Sequence, residues 1–421
     1  MIIDIGIGQT TQRLVIPEGI RAKVLVPNPV PHTLSEEEAV ARALSNPIGT
    51  PRLRDIVKPG EKVAIVTSDV SRPMPTARVM PLLLDELCAG GAKKEDITLV
   101  FALGSHRKQT PEEQKKLAGE RAWSEIRCVD SDPEDVVHLG TTARGTPVDI
   151  FRGVAEADRV ICLGNIEYHY FAGYSGGVKA IMPGCATRAA IQANHRRMTD
   201  AAACAGKLEG NPVREDLEEA GRIVGIDFIL NVVLDEHKKI VYAAAGDVTK
   251  AHRDGCRYLD TMYAVAIEEK ADIVVVSQGG APKDLNLYQT QKALDNAKHA
   301  VKDGGIILLV GSCREGLGES HFEEWIRAAG CPKDLVDRIG REFVLGGHKA
   351  AAIAMVEERA KVYLVSEREK AFAESVFMTP FDTVQEAFDA ALAEKGAGAA
   401  VIVMPYGGST LPQVKERKSL C

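Results

Sequence analysis

No segment of the 421-residue chain approaches the roughly eighteen consecutive apolar residues that a membrane helix needs, so no spanning helix is expected. Basic runs with interleaved aromatics are absent and the formal charge is −7. Both argue against nucleic acid as a partner. The first residues, MIIDIGIGQT, have neither a basic start nor an apolar stretch, so a secretory leader is not expected and a cytoplasmic location is. The nine cysteines scatter from Cys88 to Cys421 without a CxxC pair. They read as reduced, mostly buried small residues, Cys162 and Cys185 among them. No GxGxxG joins a strand to a helix near the N-terminus, which speaks against a nicotinamide dehydrogenase. Internal repeats and low-complexity tracts are also missing.

What is present is the balance of a soluble globular protein, 45 % hydrophobic and 26 % charged, in a chain long enough for two domains. Short β-branched runs alternate with helical patterns. KVAIVTSD (62–69), DITLVFALG (96–104) and RVICLGN (159–165) read as buried strands, and IDFILNVVLD (226–235) as a hairpin partner of KIVYAAAGD (239–247). Helical spacing covers 76–90, 111–119 and 187–198, and a longer helix is expected over 249–269. The pattern then restarts with strands at 271–279, 305–313, 361–367 and 399–405 and a helix over 287–302. The expected fold is therefore α/β, with two α/β domains and an active-site cleft between them. The expected boundaries are 1–265 for the N-terminal domain and 266–405 for a smaller C-terminal one. A tail over 406–421 is expected to return to the first.

Functional groups in open α/β sheets gather where strands end, and four segments meet that condition. The densest is NIEYHYFAGYSGGVKAIMPGCATRAAIQANHRRM (165–198). It carries His169, the glycine turn of Gly173, Ser175, Gly176 and Gly177, then Lys179, then a helix with Thr187 as N-cap and His195 along it. Glycines permit positive φ and free backbone N–H groups to face an anion or a flat cofactor. A lysine there serves as a phosphate clamp, a Schiff-base former or a covalent tether. His195 is a candidate metal ligand, since neutral imidazole suits nickel, zinc and copper. A bare turn and a plain helix histidine are the competing readings.

SDVSRPMP (68–75) sends Asp69 and Arg72 into a proline-fixed turn, where an arginine can grip a carboxylate bidentately or simply pair with the aspartate. ALGSHRKQTPEE (102–113) puts His106 at a strand end, before a helix capped by Thr110 with Pro111 first. GGAPKDLNLYQTQKALDNA (279–297) leads a glycine turn into a helix bearing Tyr288, Gln289 and Lys292. The last two share a face; a solvated lysine is the plain alternative.

These four segments, in this order, together with NPIGTP (47–52) and GNPVREDLEEA (210–220), resemble the nickel-dependent lactate racemase family over nearly the whole chain. The resemblance implies a racemase or epimerase, an isomerase that inverts the hydroxyl-bearing C2 of a 2-hydroxyacid by hydride abstraction and return on a nickel-pincer nucleotide. That cofactor is pyridinium-3-thioamide-5-thiocarboxylic acid mononucleotide. It would be bound covalently to Lys179, with the glycine turn of Gly173, Ser175, Gly176 and Gly177 beside it and His195 as the protein's ligand to nickel. His106 and His169 would be the two catalytic acid–base groups. Arg72 and Lys292 would clamp the substrate carboxylate with help from Gln289 and Tyr288, and Asp69 would orient a catalytic group or Arg72. Other proteins must build the cofactor, so the expected partners are cofactor-biosynthesis proteins and a small-molecule substrate.

The chain departs from the family at one place. The lactate enzymes line the pocket near the substrate methyl with an aromatic residue of the smaller domain. Here the corresponding stretch is LGGHKAAAIA (345–354), with Gly347 and His348 and no aromatic. A roomier, more polar pocket suits malate or a sugar acid better than lactate. Two other readings stand beside this one. A zinc-dependent lyase or hydrolase on His106, His169 and His195 fits three-histidine zinc chemistry but gives Lys179 no purpose. A non-catalytic nickel-cofactor carrier needs the tether and ligand but not the flanking histidines.

Overall fold

The computed structural model describes residues 1–29 and 34–415. Its contacts divide the chain into two units, Val30–Asp260 and a second made of Met1–Pro29 with Thr261–Cys421.

In the unit Val30–Asp260, six strands lie in the order Ile240–Gly246, Phe228–Leu234, Arg159–Ile166, Val63–Ser68, Ile97–Ala102, Arg127–Asp130. All pairings are parallel except the outer hairpin of Phe228–Leu234 with Ile240–Gly246. The continuous apolar runs Val63–Val66 and Val160–Leu163 are buried, as a parallel sheet covered on both faces requires. The helix Thr76–Ala89 presents Val79, Met80, Leu83, Leu84 and Leu87 at helical spacing to Ile65, Leu99 and Phe101. Each such leucine contributes about 1.5–3 kcal/mol by leaving water. From Val63–Ser68 the chain moves to Ile97–Ala102 and Arg127–Asp130, then returns to pair Arg159–Ile166 on the other side of its first strand. That reversal is a topological switch point, the place where open α/β sheets leave a crevice at the strands' carboxyl ends.

The second unit has six parallel strands in the order Thr379–Phe381, Lys361–Val365, Val301–Val310, Ala271–Ser277, Ala400–Met404, Arg21–Val24. The antiparallel pair Ile2–Ile7 and Thr10–Val15 adds Ile5, Ile7 and Leu14 to the core that holds Ile273, Leu308 and Val403. The first 29 residues thus belong with the later part of the chain, unlike the boundary drawn at 265. Local sequence pattern cannot register a pairing such as Arg21 with Ala400.

Two helices are shorter than their periodicity suggests. The one expected over 249–269 is Lys250–Tyr263, because Ala264–Ile267 forms a parallel pair with Leu411–Val414. That pairing keeps Leu411–Val414 in the second unit; residues 416–421 of the expected tail lie outside the described residues. The helix expected over 287–302 is Leu287–Ala297, with Val301 already in the next strand. The helix starting at Pro111 continues to Glu125, but its backbone breaks at Gly119 (φ 80°), where the expected segment ends. Among the described residues no helix is long and apolar enough to cross a membrane.

Candidate active site

Three adjacent parallel strands of the unit Val30–Asp260 end at the same sheet edge, and each delivers a candidate group. Val63–Ser68 runs into Asp69, Ile97–Ala102 into His106, and Arg159–Ile166 into His169. Cross-links hold these ends together. Gly104 N–H donates to Gly184 O at 2.8 Å, tying the His106 turn to the segment after Lys179. Gln109 accepts from Val70 N–H at 2.9 Å and donates to Asp130 at 2.9 Å.

Asp69 is 3 % exposed and does not pair with Arg72. Its Oδ2 lies 2.7 Å from His106 Nδ1, and its Oδ1 accepts from Ser71 Oγ at 2.7 Å. Burial pushes this carboxyl up, but the hydrogen bonds from His106 and Ser71 and the nearby Arg72 charge outweigh it and hold it below the ordinary aspartate value. An ionised Asp69 accepts only, so His106 Nδ1 carries the proton and Nε2 the lone pair. Arg72 closes the turn through its N–H to Asp69 O at 3.2 Å. Its side chain is exposed and has no ion-pair partner among the described residues.

His169 lies in a two-residue pairing, Tyr168–His169 against Gly173–Tyr174. Its Nδ1 accepts from Ala172 N–H at 3.3 Å, and its Nε2 stands 3.3 Å from Lys179 Nζ. Gly173 makes this turn possible: φ is +77°, and a Cβ there would lie 2.1 Å from Lys207 O. The hairpin is anchored by Asp260, whose carboxylate accepts from Tyr168 Oη at 2.7 Å and Tyr174 Oη at 2.8 Å. Ser175 is committed to the same frame, donating from Oγ to Asn165 O at 2.7 Å and accepting from Glu167 N–H at 2.9 Å. Gly176 and Gly177 follow, and Gly177 N–H donates to Asn231 Oδ1 at 2.7 Å.

Lys179 sits in the turn Gly177–Ala180 with no carboxylate partner among the described residues. Burial, then the charges of Arg214 and Arg72, hold its amine well below the usual lysine range. Burial and the Lys179 charge likewise hold His169 well below the usual histidine range. Phe171 links the group: its ring centroid lies 4.5 Å from that of His169, 4.9 Å from that of His195 and 5.9 Å from Lys179 Nζ. His195 ends the helix Arg188–His195, which Thr187 caps through Ala190 N–H as expected. Its Nδ1 lies 2.9 Å from Asn194 Oδ1.

The structure thus gathers Lys179, His169 and His195 around one ring and pairs Asp69 with His106. It also reveals groups without local sequence signals. Arg214, fully buried, donates to the carbonyls of Ala172 and Tyr174, while its Nη1 has no partner among the described residues. Burial lowers its pKa to about 10. Asn231 Nδ2, buried beside Gly177, also has no partner among the described residues. Two such donors at a glycine turn, next to an amine held below the usual lysine range, fit a cradle for an acceptor-rich cofactor. Among the described residues no three His, Cys, Asp or Glu side chains converge to hold a metal ion. His106, His169 and His195 therefore do not form the converging trio on which the zinc reading stood.

In the second unit, Gln289 and Lys292 lie exposed on the helix Leu287–Ala297, and Lys292 has no ion-pair partner among the described residues. Lys349 Nζ stands 3.8 Å over the Tyr288 ring and donates to Tyr288 O at 2.9 Å. The 345–354 stretch, without an aromatic of its own, packs Gly347 against Trp325, where a Cβ would lie 2.3 Å from the indole.

Comparison with known proteins matches residues 7–206 to a domain family described as the lactate racemase N-terminal domain. Residues 266–411 match the lactate racemase C-terminal domain. A lactate racemase of Thermoanaerobacterium thermosaccharolyticum is 36 % identical over 392 residues, covering 91 % of this chain and 92 % of that protein. One of Lactiplantibacillus plantarum is 33 % identical over 384 residues, covering 89 % and 90 %. The solved lactate racemase apoprotein of T. thermosaccharolyticum superposes with a TM-score of 0.85 at 34 % identity, covering 98 % of this chain and 100 % of the other.

Proposed function

Because the chain belongs to the lactate racemase family, we propose that it is an isomerase that inverts C2 of a 2-hydroxyacid with His106 and His169 as its two proton-transfer groups. Inverting a hydroxyl-bearing carbon requires a group that takes and returns the hydroxyl proton whichever enantiomer is bound. The observation that carries the reading is the 2.7 Å bond between Asp69 and His106 Nδ1. It leaves Nε2 as a base and stabilises the imidazolium that forms when the hydroxyl proton arrives. His169 serves the other enantiomer. Burial, then the Lys179 charge, opposes its protonation, and converting that amine to a neutral amide-type link removes the second of these.

Lys179 and His195 are the residues that would hold a nickel-pincer nucleotide, Lys179 as covalent tether and His195 as the protein's nickel ligand. The chemistry that group supplies when bound is reversible acceptance of the Cα hydride. The chain's own contribution begins with an amine that burial, then the charges of Arg214 and Arg72, hold below the usual lysine range, because only the unprotonated form of Lys179 can be acylated. Arg214 fixes the carbonyls of Ala172 and Tyr174 in the hairpin that precedes Lys179. Arg72 and, beside Tyr288 and Gln289, Lys292 are each a candidate cation for the substrate carboxylate; that both are exposed and without an ion-pair partner among the described residues supports this role.

The substrate is larger or more polar than lactate, such as malate or a sugar acid. Support comes from the 345–354 stretch, which has Gly347 and His348 and no aromatic residue. Intact-protein mass spectrometry of material made with cofactor-biosynthesis proteins tests the core of the reading: a nucleotide-sized adduct at Lys179 is expected, and its absence overturns the cofactor assignment. A screen of 2-hydroxyacids on that material tests the substrate, and much faster racemisation of lactate than of any larger acid overturns that part.

A further inference from the structure

The hydrogen bonds behind His195 form a closed chain. Asp216 is fully buried. Its Oδ1 accepts from Thr142 Oγ1 at 2.5 Å, and its Oδ2 accepts from Thr146 Oγ1 at 2.7 Å and from Asn194 Nδ2 at 2.8 Å. Asn194, also fully buried, donates from the same nitrogen to Val213 O at 3.2 Å. Val213 O is a carbonyl and cannot donate, so the amide cannot be turned round. Asn194 Oδ1 must then face His195 Nδ1, 2.9 Å away. An amide oxygen only accepts, so the proton resides on Nδ1 and the lone pair on Nε2. The chain joins the turn Thr142–Thr146, the helix Pro212–Val224 and the helix Arg188–His195.

We propose that Asn194 and Asp216 are positioning residues that lock His195 in its Nε2-ligating tautomer and so set how tightly the site retains nickel. The inference rests on His195 being the nickel ligand. A ligating imidazole gains both orientation and basicity from an acceptor on its other nitrogen, and losing that acceptor typically weakens metal affinity by about 10–100-fold. Here the acceptor is a neutral amide rather than a carboxylate. Asp216 polarises it from behind through the amide N–H, which draws the negative charge one residue back from the metal. Nothing in this chain of bonds depends on Lys179, so tethering and nickel retention are separable.

The test uses the full chain with Asn194→Leu, which keeps the side-chain volume but accepts nothing, Asp216→Asn, and Thr142→Val as a milder variant that removes one bond to Asp216. In the cofactor-free protein, nitrogen-15 NMR of labelled histidine reads the tautomer: the parent shows His195 with its proton on Nδ1, and Asn194→Leu shows a mixture. In loaded protein, chelator challenge is expected to strip nickel roughly 10–100-fold faster from Asn194→Leu and Asp216→Asn, with an intermediate rate for Thr142→Val, while the Lys179 adduct mass is unchanged. Parent-like tautomer and nickel loss in Asn194→Leu and Thr142→Val, both carrying the adduct, overturn the inference. An absent adduct in the parent instead overturns the cofactor reading on which it rests.

Discussion

Asp69 shows how one carboxylate decides what a histidine does. Its negative charge selects the Nδ1–H form of His106, so Asp69→Asn keeps the shape but loses the selection. The expected result is a fall in kcat of roughly 10²–10⁴-fold, the usual worth of a positioned base, with substrate KM nearly unchanged. Steady-state kinetics of the loaded enzyme check it. His106→Ala and His169→Ala should each bind a 2-hydroxyacid and lose turnover, measured by calorimetry beside polarimetry; unchanged turnover in both removes the proton-transfer assignment. Lys179 supplies a prediction that needs no cofactor. Its folded pKa is depressed by burial and by Arg214 and Arg72. The unfolded state therefore binds more protons than the folded one between that value and about 10.4, and the stability of the cofactor-free protein rises with pH across the window. Lys179→Met abolishes the penalty. It should be more stable than the parent at pH 7 in urea titrations, with the gap shrinking as the pH nears 10.

At the scale of elements, the hairpin around His169 is held by conformation as much as by contacts. Gly173→Ala puts a Cβ onto Lys207 O at positive φ. The expected loss exceeds about 1 kcal/mol in denaturant midpoints, together with slower adduct formation at Lys179. Much of this region is readable from sequence because its signals are local. Strand-terminal Asp69, His106 and His169, the glycine turn, and the caps Thr110 and Thr187 all lie within short stretches of chain, and the structure puts each where its motif suggests. Arg214, Asn231 and Asp216 are opaque to the same reading. In a helix or strand they look like ordinary polar residues, and only burial against partners tens of residues away reveals their work. Tyr263 followed by AVAI looks like continuing helix for the same reason, since the strand that captures Ala264–Ile267 arrives nearly 150 residues later.

At the scale of the whole molecule, the boundary that matters is not a single cut. Residues 1–29 complete the sheet and core of the unit that contains Thr261–Cys421. A fragment ending at 265 therefore carries a hairpin and a strand with no sheet to join. Residues 30–260 alone should show a cooperative urea transition, whereas fragment 1–265 should lose its first 29 residues to limited proteolysis. Protection of those residues in the fragment overturns the division. The pairing of Arg21 with Ala400 also sets a schedule for synthesis. At about 5–20 residues per second, Arg21–Val24 waits on the order of 20–75 seconds for the strand it will pair with. Throughout that interval an unsatisfied strand is open to other nascent chains. Its alternating Arg21 and Lys23, both exposed in the finished protein, put like charges on every copy, the usual guard against edge-to-edge association.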